Sequence, residues 1–587
     1  MAQDLGYDFD PLNLEEIQGE NRKKVELLEE KVAELVRKSE IRSQKSEIRS
    51  QKSEVRNQKS EVRNQKSEIR NQKSEVRNQK SEIRSQKSEI RNQKSEIRNQ
   101  KSEIRNQKSE VKRKKEEKHF SDEDNNSLVE KELQWIENYL LPKLQKTDEE
   151  ISNLIQGLAG KYVPSGAAGA PTRGRPEVLP TGRNFYSVDI RGIPTETAWD
   201  VGRKAAEVVI EHYTQENGEY PQTLAISIWG TSTMRTGGDD VAEVLALLGV
   251  QPVWDGVSRR VIDFEILPLS VLGRPRVDVT VRISGFFRDS FPNITCLLYN
   301  AIAAVSTLEE SAEDNPLAAK VKSEQEYWQQ QGLDIAQAKE RSLHRIFGSK
   351  PGAYGAGLQG LIEAQNWQND EDLARAYINW SSYAYTPTGK GDVRGISAPE
   401  AFESRLAQLQ IILHNQDNRE HDLLDSDDYY QFQGGLTAAV RAVTGKNPQT
   451  YFGDNSLPTH PRVRQLREEI NRVYRSRVVN PKWIAGVMRH GYKGAFEMAA
   501  TVDYLFAYDA TANCVDNHVY QGVADAYIFD EEVQEFIRQK NPWALRDMAE
   551  RLLEAKQRGL WQGAEEETIA QLKDVANRAE ERIENTL

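Results

Sequence analysis

The chain has 587 residues, a formal net charge of −12 and two cysteines. This length predicts several domains, and two distant cysteines outside any CxxC pair argue against a disulfide framework and a thiolate metal site. The charge is uneven: residues 38–118 contain 26 Lys and Arg against 13 Asp and Glu, and the remainder contains 53 against 78. The acidic remainder disfavours nucleic acid as a partner and favours cationic ligands or basic proteins.

The amino-terminal residues, MAQDLGYDFD, are acidic and polar and do not resemble a signal peptide. The longest mostly apolar run, residues 294–305, is too short to cross a bilayer. The scarcity of cysteine fits a reducing compartment. We therefore expect a cytoplasmic protein without a membrane span.

The first predicted element is an amphipathic helix within residues 1–37, and a repeat follows it. Ten copies of KSE(I/V)R(N/S)Q run from Lys38 to Gln107, and a degraded copy extends the segment to residue 118. A coiled-coil seam needs two apolar positions per heptad and this repeat supplies one, although its charges support a single long helix. We therefore predict a helical or disordered insertion, tolerated because long surface insertions cost little stability. A functional coiled coil is the alternative.

Residues 119–194 combine a helix with a loop rich in Gly, Pro and Arg. Apolar residues at helical spacing predict the helix over residues 126–158. The loop over residues 160–194 contains aromatic side chains that a disordered linker usually lacks, so we expect it to be ordered. It is either a packed connection between domains or a binding loop in which arginines such as Arg183 hold carboxylates.

Residues 195–309 alternate between helical and strand patterns, which predicts a Rossmann-like parallel sheet. The predicted elements are a helix over 197–213, a strand over 224–229, a loop over 230–238, a helix over 239–248 capped by Asp239 or Asp240, and a strand over 277–283 followed by a helix. Ligands of such sheets lie beyond the carboxyl ends of the strands, where Arg235 and Arg288 follow the two strands. The glycine-rich loop matches neither GxGxxG nor a P-loop, so any ATP is expected on another polypeptide.

Residues 310–587 are predicted to be mainly helical. The predicted fold class is therefore α/β plus all-α: a Rossmann-like parallel-sheet region, a large helical region and the long heptad insertion. The predicted divisions are residues 1–37, 38–118, 119–194, 195–309 and 310–587.

The most informative segment reads DSDDYYQFQGG and occupies residues 425–435, which we call the acid segment. It contains three carboxylates and two phenols, namely Asp425, Asp427, Asp428, Tyr429 and Tyr430. Such groups in one short stretch can hold a cation and move protons near it. The alternative is a helix start, because Asp favours N-caps and first turns.

The eight histidines form no HExxH motif and no readable Ser-His-Asp arrangement, so a dedicated zinc site is not expected. His414 and His421, seven residues apart, precede the acid segment closely. His460 follows a Gly-Asp-Asn turn and is either a structural cap or a substrate contact.

Five segments resemble one family. They are PTRGRPEVLPTGRNFYSVD (171–189), ISIWGTSTMRTGGDDVAEVLALLGVQPVWD (226–255), LGRPRVDVTVRISGFFRDSF (272–291), LLDSDDYYQFQGG (423–435) and NPKWIAGVMRHGYKGAFEMAATVDYLFAYDAT (480–511). They look like the large subunit of the cobaltochelatase/magnesium chelatase family, and the acid segment and LFAYDAT look closer to its cobaltochelatase branch. The resemblance covers residues 120–587 almost continuously and extends to residues 1–30.

The resemblance implies a large subunit that binds a tetrapyrrole and inserts a divalent metal, with ATP-Mg²⁺ hydrolysed by partner AAA+ subunits. The implied substrates are Co²⁺ and a corrin precursor resembling hydrogenobyrinic acid a,c-diamide, in cobalamin biosynthesis. The alternatives are a magnesium chelatase that inserts Mg²⁺ into protoporphyrin IX, or a non-catalytic tetrapyrrole-binding fragment.

On this basis we predict three groups of site residues. The predicted catalytic residues are Asp425, Asp427, Asp428 and Tyr429. The predicted metal-binding residues are Asp425, Asp427 and Asp428. The predicted substrate-binding residues are Arg183, Arg235, Arg288 and His460.

Two features depart from the family pattern. Family members are roughly twice as long as this chain, which resembles their C-terminal half, so a separate N-terminal half is a predicted partner. The KSEIRNQ array also looks foreign to the family.

Overall fold

The computed structural model describes residues 133–167, 178–186, 189–256, 258–389 and 391–585. The predicted helix of residues 1–37 and the heptad insertion of residues 38–118 lie outside this part of the chain. The chain divides into two compact units, one formed by residues 1–164 with 179–184 and the other by residues 165–178 with 185–587.

In the first unit, the described helices are Leu141–Leu144 (α1) and Glu149–Leu158 (α2), preceded by a π-helical turn over Ile136–Leu140. The helix predicted over residues 126–158 is therefore broken in its described part. Residues 145–148 interrupt the helix with a turn. At this turn the amides of Gln145 and Lys146 donate to carbonyls of the preceding helix.

The second unit contains the remaining described strands and helices. Its strands, with the boundary strand Asn184–Tyr186 included, are Ser165–Ala167 (β1), Asn184–Tyr186 (β2), Thr223–Ile228 (β3), Val250–Trp254 (β4), Val261–Ile266 (β5), Asp278–Ile283 (β6), Ile346–Gly348 (β7), Tyr383–Pro387 (β8), Val393–Ser397 (β9), Ile411–Gln416 (β10), Gln449–Asp454 (β11) and Arg462–Gln465 (β12). Its α-helices are Glu196–Asn217 (α3), Gly230–Thr236 (α4), Asp239–Leu248 (α5), Leu269–Leu272 (α6), Gly285–Ser290 (α7), Pro292–Val305 (α8), Pro316–Gln330 (α9), Ile335–Ser342 (α10), Gln359–Glu363 (α11), Asp370–Ser381 (α12), Pro399–Leu406 (α13), Asp427–Tyr429 (α14), Gly435–Thr444 (α15), Leu466–Val473 (α16), Pro481–Met488 (α17), Tyr492–Ala512 (α18), Asn517–Val523 (α19), Glu531–Lys540 (α20), Pro542–Gln557 (α21) and Glu566–Glu584 (α22). A 3₁₀ turn covers Ile190–Gly192, and π-helical turns cover Tyr430–Gly434, Tyr474–Val478 and Ala524–Phe529.

Within the described residues, eight strands form one mixed sheet in the order β12-β11-β10-β3-β6-β7-β8-β9. The five central strands, β11 to β7 in this order, are parallel. Strand β12 at one edge and strands β8 and β9 at the other run antiparallel to their neighbours. Strands β4 and β5 form a separate antiparallel pair.

The centre of the sheet is buried on both faces. Every residue of β3 and β6 is buried, as expected for parallel strands covered by helices on both sides. Along β3, Leu224, Ile226 and Ile228 pack in one hydrophobic cluster and Ala225 packs in the other. Because successive side chains of a strand point to opposite faces, this alternation places one cluster on each side of the sheet.

The prediction of a mixed α/β chain is confirmed, and the two predicted strands correspond to β3 and β6. The predicted loop over residues 230–238 is instead largely the short helix α4. Helix α5 has the predicted bounds, but its N-cap is Gly238, while Asp239 and Asp240 occupy the first turn.

The sheet also takes strands from both sides of the predicted division at residue 309. Strands β7 to β12 all follow that division, in a region predicted to be mainly helical. Several of them are too short for their sequence pattern to be recognised, because β7 has three residues and β12 has four. Among the described residues, no helix is both long and apolar enough to span a membrane.

Candidate active site at the carboxyl edge of the sheet

Three chain segments that leave the central parallel strands meet at one edge of the sheet. Helix α4 follows β3, helix α7 follows β6, and the acid segment follows β10. The contact between the first two requires glycine, because a Cβ atom at Gly230 would lie 2.6 Å from the Phe286 ring and 2.8 Å from the Phe287 amide nitrogen. This edge is the position at which open α/β sheets bind their ligands.

The acid segment begins a helix. The Ser426 hydroxyl accepts a hydrogen bond from the amide of Asp428 at 3.3 Å, and Asp427 and Asp428 occupy the first turn. A π-helical turn over Tyr430–Gly434 follows, and α15 then continues the helix. The structure therefore supports the helix-start alternative. The π-helical turn that follows the carboxylates is of a kind that often occurs at functional sites.

The carboxylate of Asp425 is held by its surroundings. It accepts a hydrogen bond from the amide of Asp422 at 2.8 Å and lies 3.3 Å from Arg477. Arg477 makes its main contact with Asp422, through two bonds of 2.6 and 2.8 Å. Burial and the neighbouring Asp422 raise the pKa of Asp425. Asp425 therefore closes the loop that precedes the acid segment.

Asp427 and Asp428 differ in whether their carboxylates have a hydrogen-bond partner. Asp427 accepts a hydrogen bond from the Gln431 amide at 2.8 Å, one turn further along. The Asp428 side chain makes no hydrogen bond or ion pair to any residue that the structure describes. Burial and the adjacent Asp427 raise the pKa of Asp428. Asp428 is therefore the carboxylate of the segment that is available to a ligand.

Tyr429 points back toward the sheet. Its hydroxyl lies 3.2 Å from Nδ1 of His421, and its ring packs 5.0 Å from Trp229 and 5.2 Å from His414. Burial raises the pKa of Tyr429 well above its usual value, so the phenol stays protonated. Burial lowers the pKa of His414 to about 3, so this imidazole is neutral at pH 7.

The two histidines share no helix. His414 lies in strand β10, and His421 lies in the loop that follows it. Among the described residues, no group of three or more His, Cys, Asp or Glu side chains is arranged to hold a metal ion. The three predicted metal-binding carboxylates are neighbours in sequence, but Asp425 and Asp427 have different partners and Asp428 has none among the described residues.

Arg235 is brought to this edge by α4. It donates two 2.6 Å hydrogen bonds to Asp417, which comes directly after β10. The pair therefore links helix α4, which follows β3, to the carboxyl end of β10. The Arg235 side chain remains 24% exposed, and its Nη1 atom makes no hydrogen bond to a described residue. One nitrogen of this guanidinium can therefore still receive an anionic group.

Arg288 has a different environment from the one that its sequence position suggested. It is 5% exposed, forms two bonds with Asp289, and donates from Nη1 to the carbonyls of Lys350 and Ala353 at 2.9 Å. A guanidinium with these partners holds the loop after β7 against α7. It offers little to a ligand.

The other two predicted substrate contacts are exposed. His460 lies between β11 and β12, and its Nδ1 atom is 2.9 Å from the Thr459 hydroxyl. Arg183 is exposed in the first unit, whereas Arg235, Arg288 and His460 belong to the second.

Sequence reasoning missed a buried polar group beside this edge. Asn415 of β10 donates to Asp240 at 3.0 Å and to Glu243 at 2.5 Å. Glu243 is fully buried, and burial together with Asp240 raises its pKa well above the usual value. The sequence carried a signal for it, since Glu243 is the one charged residue within the apolar stretch that follows Asp240 in this helix.

Comparisons with known proteins assign the chain to a family. A family model described as CobN/Magnesium Chelatase matches residues 1–568. The chain is 58% identical over 425 residues to the aerobic cobaltochelatase subunit CobN of Pseudomonas aeruginosa, an alignment that covers 72% of this chain and 34% of that protein. It is 32% identical over 447 residues to a magnesium-chelatase subunit of Chlorobaculum parvum, covering 76% of this chain and 34% of that protein.

A solved structure is also similar. The catalytic subunit of cobaltochelatase from Mycobacterium tuberculosis has a TM-score of 0.73 and 48% sequence identity, and the match covers 76% of this chain and 37% of that one. The matched region is therefore about a third of the length of each of these relatives.

Proposed function

The chain belongs to the CobN/magnesium chelatase family, and on that premise we propose that it is part of the tetrapyrrole-binding large subunit of an ATP-dependent cobaltochelatase. The proposed reaction inserts Co²⁺ into a corrin precursor such as hydrogenobyrinic acid a,c-diamide, during cobalamin biosynthesis. Because the match covers about a third of the relatives' length, the proposed reaction also needs the parts of the large subunit that lie outside this match.

One observation carries the choice of metal. Over alignments of similar length, identity is 58% to a cobaltochelatase subunit and 32% to a magnesium-chelatase subunit. The corresponding alternative is insertion of Mg²⁺ into protoporphyrin IX. A second alternative is a tetrapyrrole-binding fragment without catalysis.

Insertion requires that the metal lose water and that the macrocycle lose pyrrolic protons. We assign the first contact with the cation and the proton acceptor role to Asp428, because its carboxylate has no partner among the described residues and its raised pKa makes it a stronger base. Asp427, beside it, adds negative charge that attracts the cation. Asp425 contributes through its link to Asp422 and Arg477, which fixes the start of the segment.

Tyr429 supports the same chemistry from the sheet side. Its protonated hydroxyl and the imidazole of His421 form a hydrogen-bonded pair one residue away from Asp428. We propose that this pair holds a proton close to the start of the acid segment and fixes the orientation of that segment.

The substrate has peripheral carboxyl or amide groups, and the proposed contacts for them are cationic. Arg235 is the strongest of the four proposed residues, because its exposed guanidinium is already oriented by Asp417. Arg183 and His460 are proposed as further contacts because they are exposed. Arg288 is proposed to act indirectly, by holding the loop after β7 in place.

ATP-Mg²⁺ is proposed to bind to partner AAA+ subunits, since the sequence contains no P-loop. The test combines the purified chain with the ATPase subunits and the missing part of the large subunit of a cobaltochelatase. Co²⁺ and Mg²⁺ are each offered with the corrin precursor and with protoporphyrin IX, and insertion is followed by the absorbance of the metallated ring.

Cobalt insertion into the corrin precursor alone is the expected result. Insertion of Mg²⁺ into protoporphyrin IX would support the magnesium alternative. Binding of a macrocycle without insertion in any mixture would support the fragment alternative and refute the enzymatic proposal.

A further inference from the structure

A cavity of about 380 Å³ lies beside the acid segment, and Tyr430 but not Tyr429 belongs to its lining. Helices α11, α18 and α21 form its walls, and Tyr430 of the acid segment contributes to its lining. Space arises there because the facing positions of the helices carry small residues, namely Ala499, Ala500, Ala507 and Ala544. This size is within the range of small-ligand sites in proteins.

The mouth of the cavity is aromatic. Tyr492, Phe496 and Trp543 line it and are 60%, 48% and 40% exposed. Large aromatic side chains that are this exposed and this close together are unusual outside binding surfaces. Aromatic faces attract cations through the negative charge of the ring. The Lys493 ammonium already lies 4.8 Å from the centre of the Phe496 ring, so Tyr492 and Trp543 offer the faces to a ligand.

The wall of the cavity is acidic. Glu363, Asp503 and Asp547 line it, and each has one carboxylate oxygen engaged, by Gln359, Arg551 and Arg546 respectively. The second oxygen of each makes no hydrogen bond to a described residue. The single cationic group of the described lining, Arg551, is already paired with Asp503 and Glu554.

A polar group at the bottom of the cavity is unpaired. Tyr430 is 3% exposed, and its hydroxyl makes no hydrogen bond to any residue that the structure describes. Its ring lies 6.1 Å from that of Tyr504, which also lines the cavity. Burial and nearby carboxylates, Asp427 first among them, raise the pKa of Tyr504 to about 12, which is the effect expected of a negative local potential.

We propose that this cavity binds an organic cation, a guanidinium or alkylammonium group. The aromatic mouth would stack on the cation, the three free carboxylate oxygens would accept its N–H groups, and the Tyr430 hydroxyl would accept one more. The cation belongs either to a free small molecule or to an Arg or Lys side chain of a partner protein. A cation bound in the cavity would contact the acid segment through Tyr430. The proposal does not depend on the metallation reaction.

The test uses the full chain and calorimetric titration with n-butylguanidinium and with its neutral analogue n-butylurea. The guanidinium should bind at least about tenfold more tightly than the urea, since only the charged group gains the cation–π and carboxylate contacts. The peptide Ac-Gly-Arg-Gly-NH₂ and its citrulline counterpart form a second arm. Binding of the free guanidinium alone indicates a small ligand, and binding of the arginine peptide as well indicates a side chain.

Variants locate the binding. Trp543→Ala, Asp547→Asn and Tyr430→Phe should each weaken guanidinium binding severalfold. Trp380→Ala should leave it unchanged, because Trp380 is also 40% exposed but does not line the cavity. Circular dichroism verifies that the variants are folded, and the exposed Asp547 provides a substitution that does not disturb packing.

Three results would overturn the proposal. They are equal binding of urea and guanidinium, binding that survives Trp543→Ala and Asp547→Asn together, and displacement of the guanidinium by stoichiometric Co²⁺ or Mg²⁺. All three concern binding alone, so a failed metal-insertion assay would leave them unaffected.

Discussion

The link between Arg477 and the start of the acid segment offers a test of which carboxylates are structural. Arg477 is 11% exposed and donates to Asp422 through two bonds of 2.6 and 2.8 Å, but approaches Asp425 only to 3.3 Å. Arg477→Met removes both contacts and leaves Asp422 partly buried without its counter-charge. Breaking such a pair costs about 3 kcal/mol of local stability.

The smaller perturbation, Asp425→Asn, keeps the Arg477–Asp422 pair intact. It removes one longer and more exposed ion contact, which is worth about 1 kcal/mol or less. The two substitutions should therefore differ clearly in how often the segment opens, even though both remove the ion contact between Arg477 and Asp425.

Hydrogen–deuterium exchange of a peptide covering residues 420–435 measures this opening. With about 3 kcal/mol lost, Arg477→Met should accelerate exchange roughly a hundredfold, and Asp425→Asn less than about tenfold. Arg551→Met is the matched control, because Arg551 is also 11% exposed and ion-paired but contacts Asp503 and Glu554 instead. Equal acceleration by Arg477→Met and Asp425→Asn, or by the control, would contradict the conclusion that the Arg477–Asp422 pair holds the acid segment in place.

Four further predictions concern Asp428, Arg235, His414 and the heptad insertion. Asp428→Asn should lower the rate of metal insertion about a hundredfold without changing exchange in the acid segment, since its carboxylate holds no described residue. Arg235→Lys should raise the KM for the macrocycle more than it lowers kcat, because Lys cannot keep the paired bonds to Asp417. The pKa of His414 is lowered to about 3, below its unfolded value near 6.5, so its contribution to stability is complete above pH 6.5 and is lost as the pH falls toward 3. Urea unfolding at pH 7 and pH 5 should show that His414→Leu avoids a loss of about 2 kcal/mol. Deleting residues 38–114 should leave the melting temperature and macrocycle binding unchanged, and a loss of either would indicate a role for the repeat.

Local patterns sufficed for part of the fold. Strand β3 was recognisable as a mostly apolar run, which is typical of a buried parallel strand. Strand β6 was recognisable because β-branched Val and Ile alternate with polar residues along it. Helix α5 had its observed bounds predicted, because its apolar residues and its terminal Gly249 are local signals. The eight-stranded sheet was not predictable in the same way, because three- and four-residue strands such as β7 and β12 are defined by their partners.

The features of the candidate site also divide into those set by neighbouring residues and those set by tertiary contacts. From the sequence came the three carboxylates of the acid segment, the helix start as one of its two interpretations, and the resemblance to the chelatase family, because all three depend on neighbouring residues. Only the tertiary structure decided that Arg235 pairs with Asp417, that Arg288 is occupied by backbone carbonyls, and that Asp428 is left without a described partner. The physical reason is that a charged side chain takes its role from the groups packed against it, and those groups come from distant parts of the chain, as with the 182 residues that separate Arg235 from Asp417.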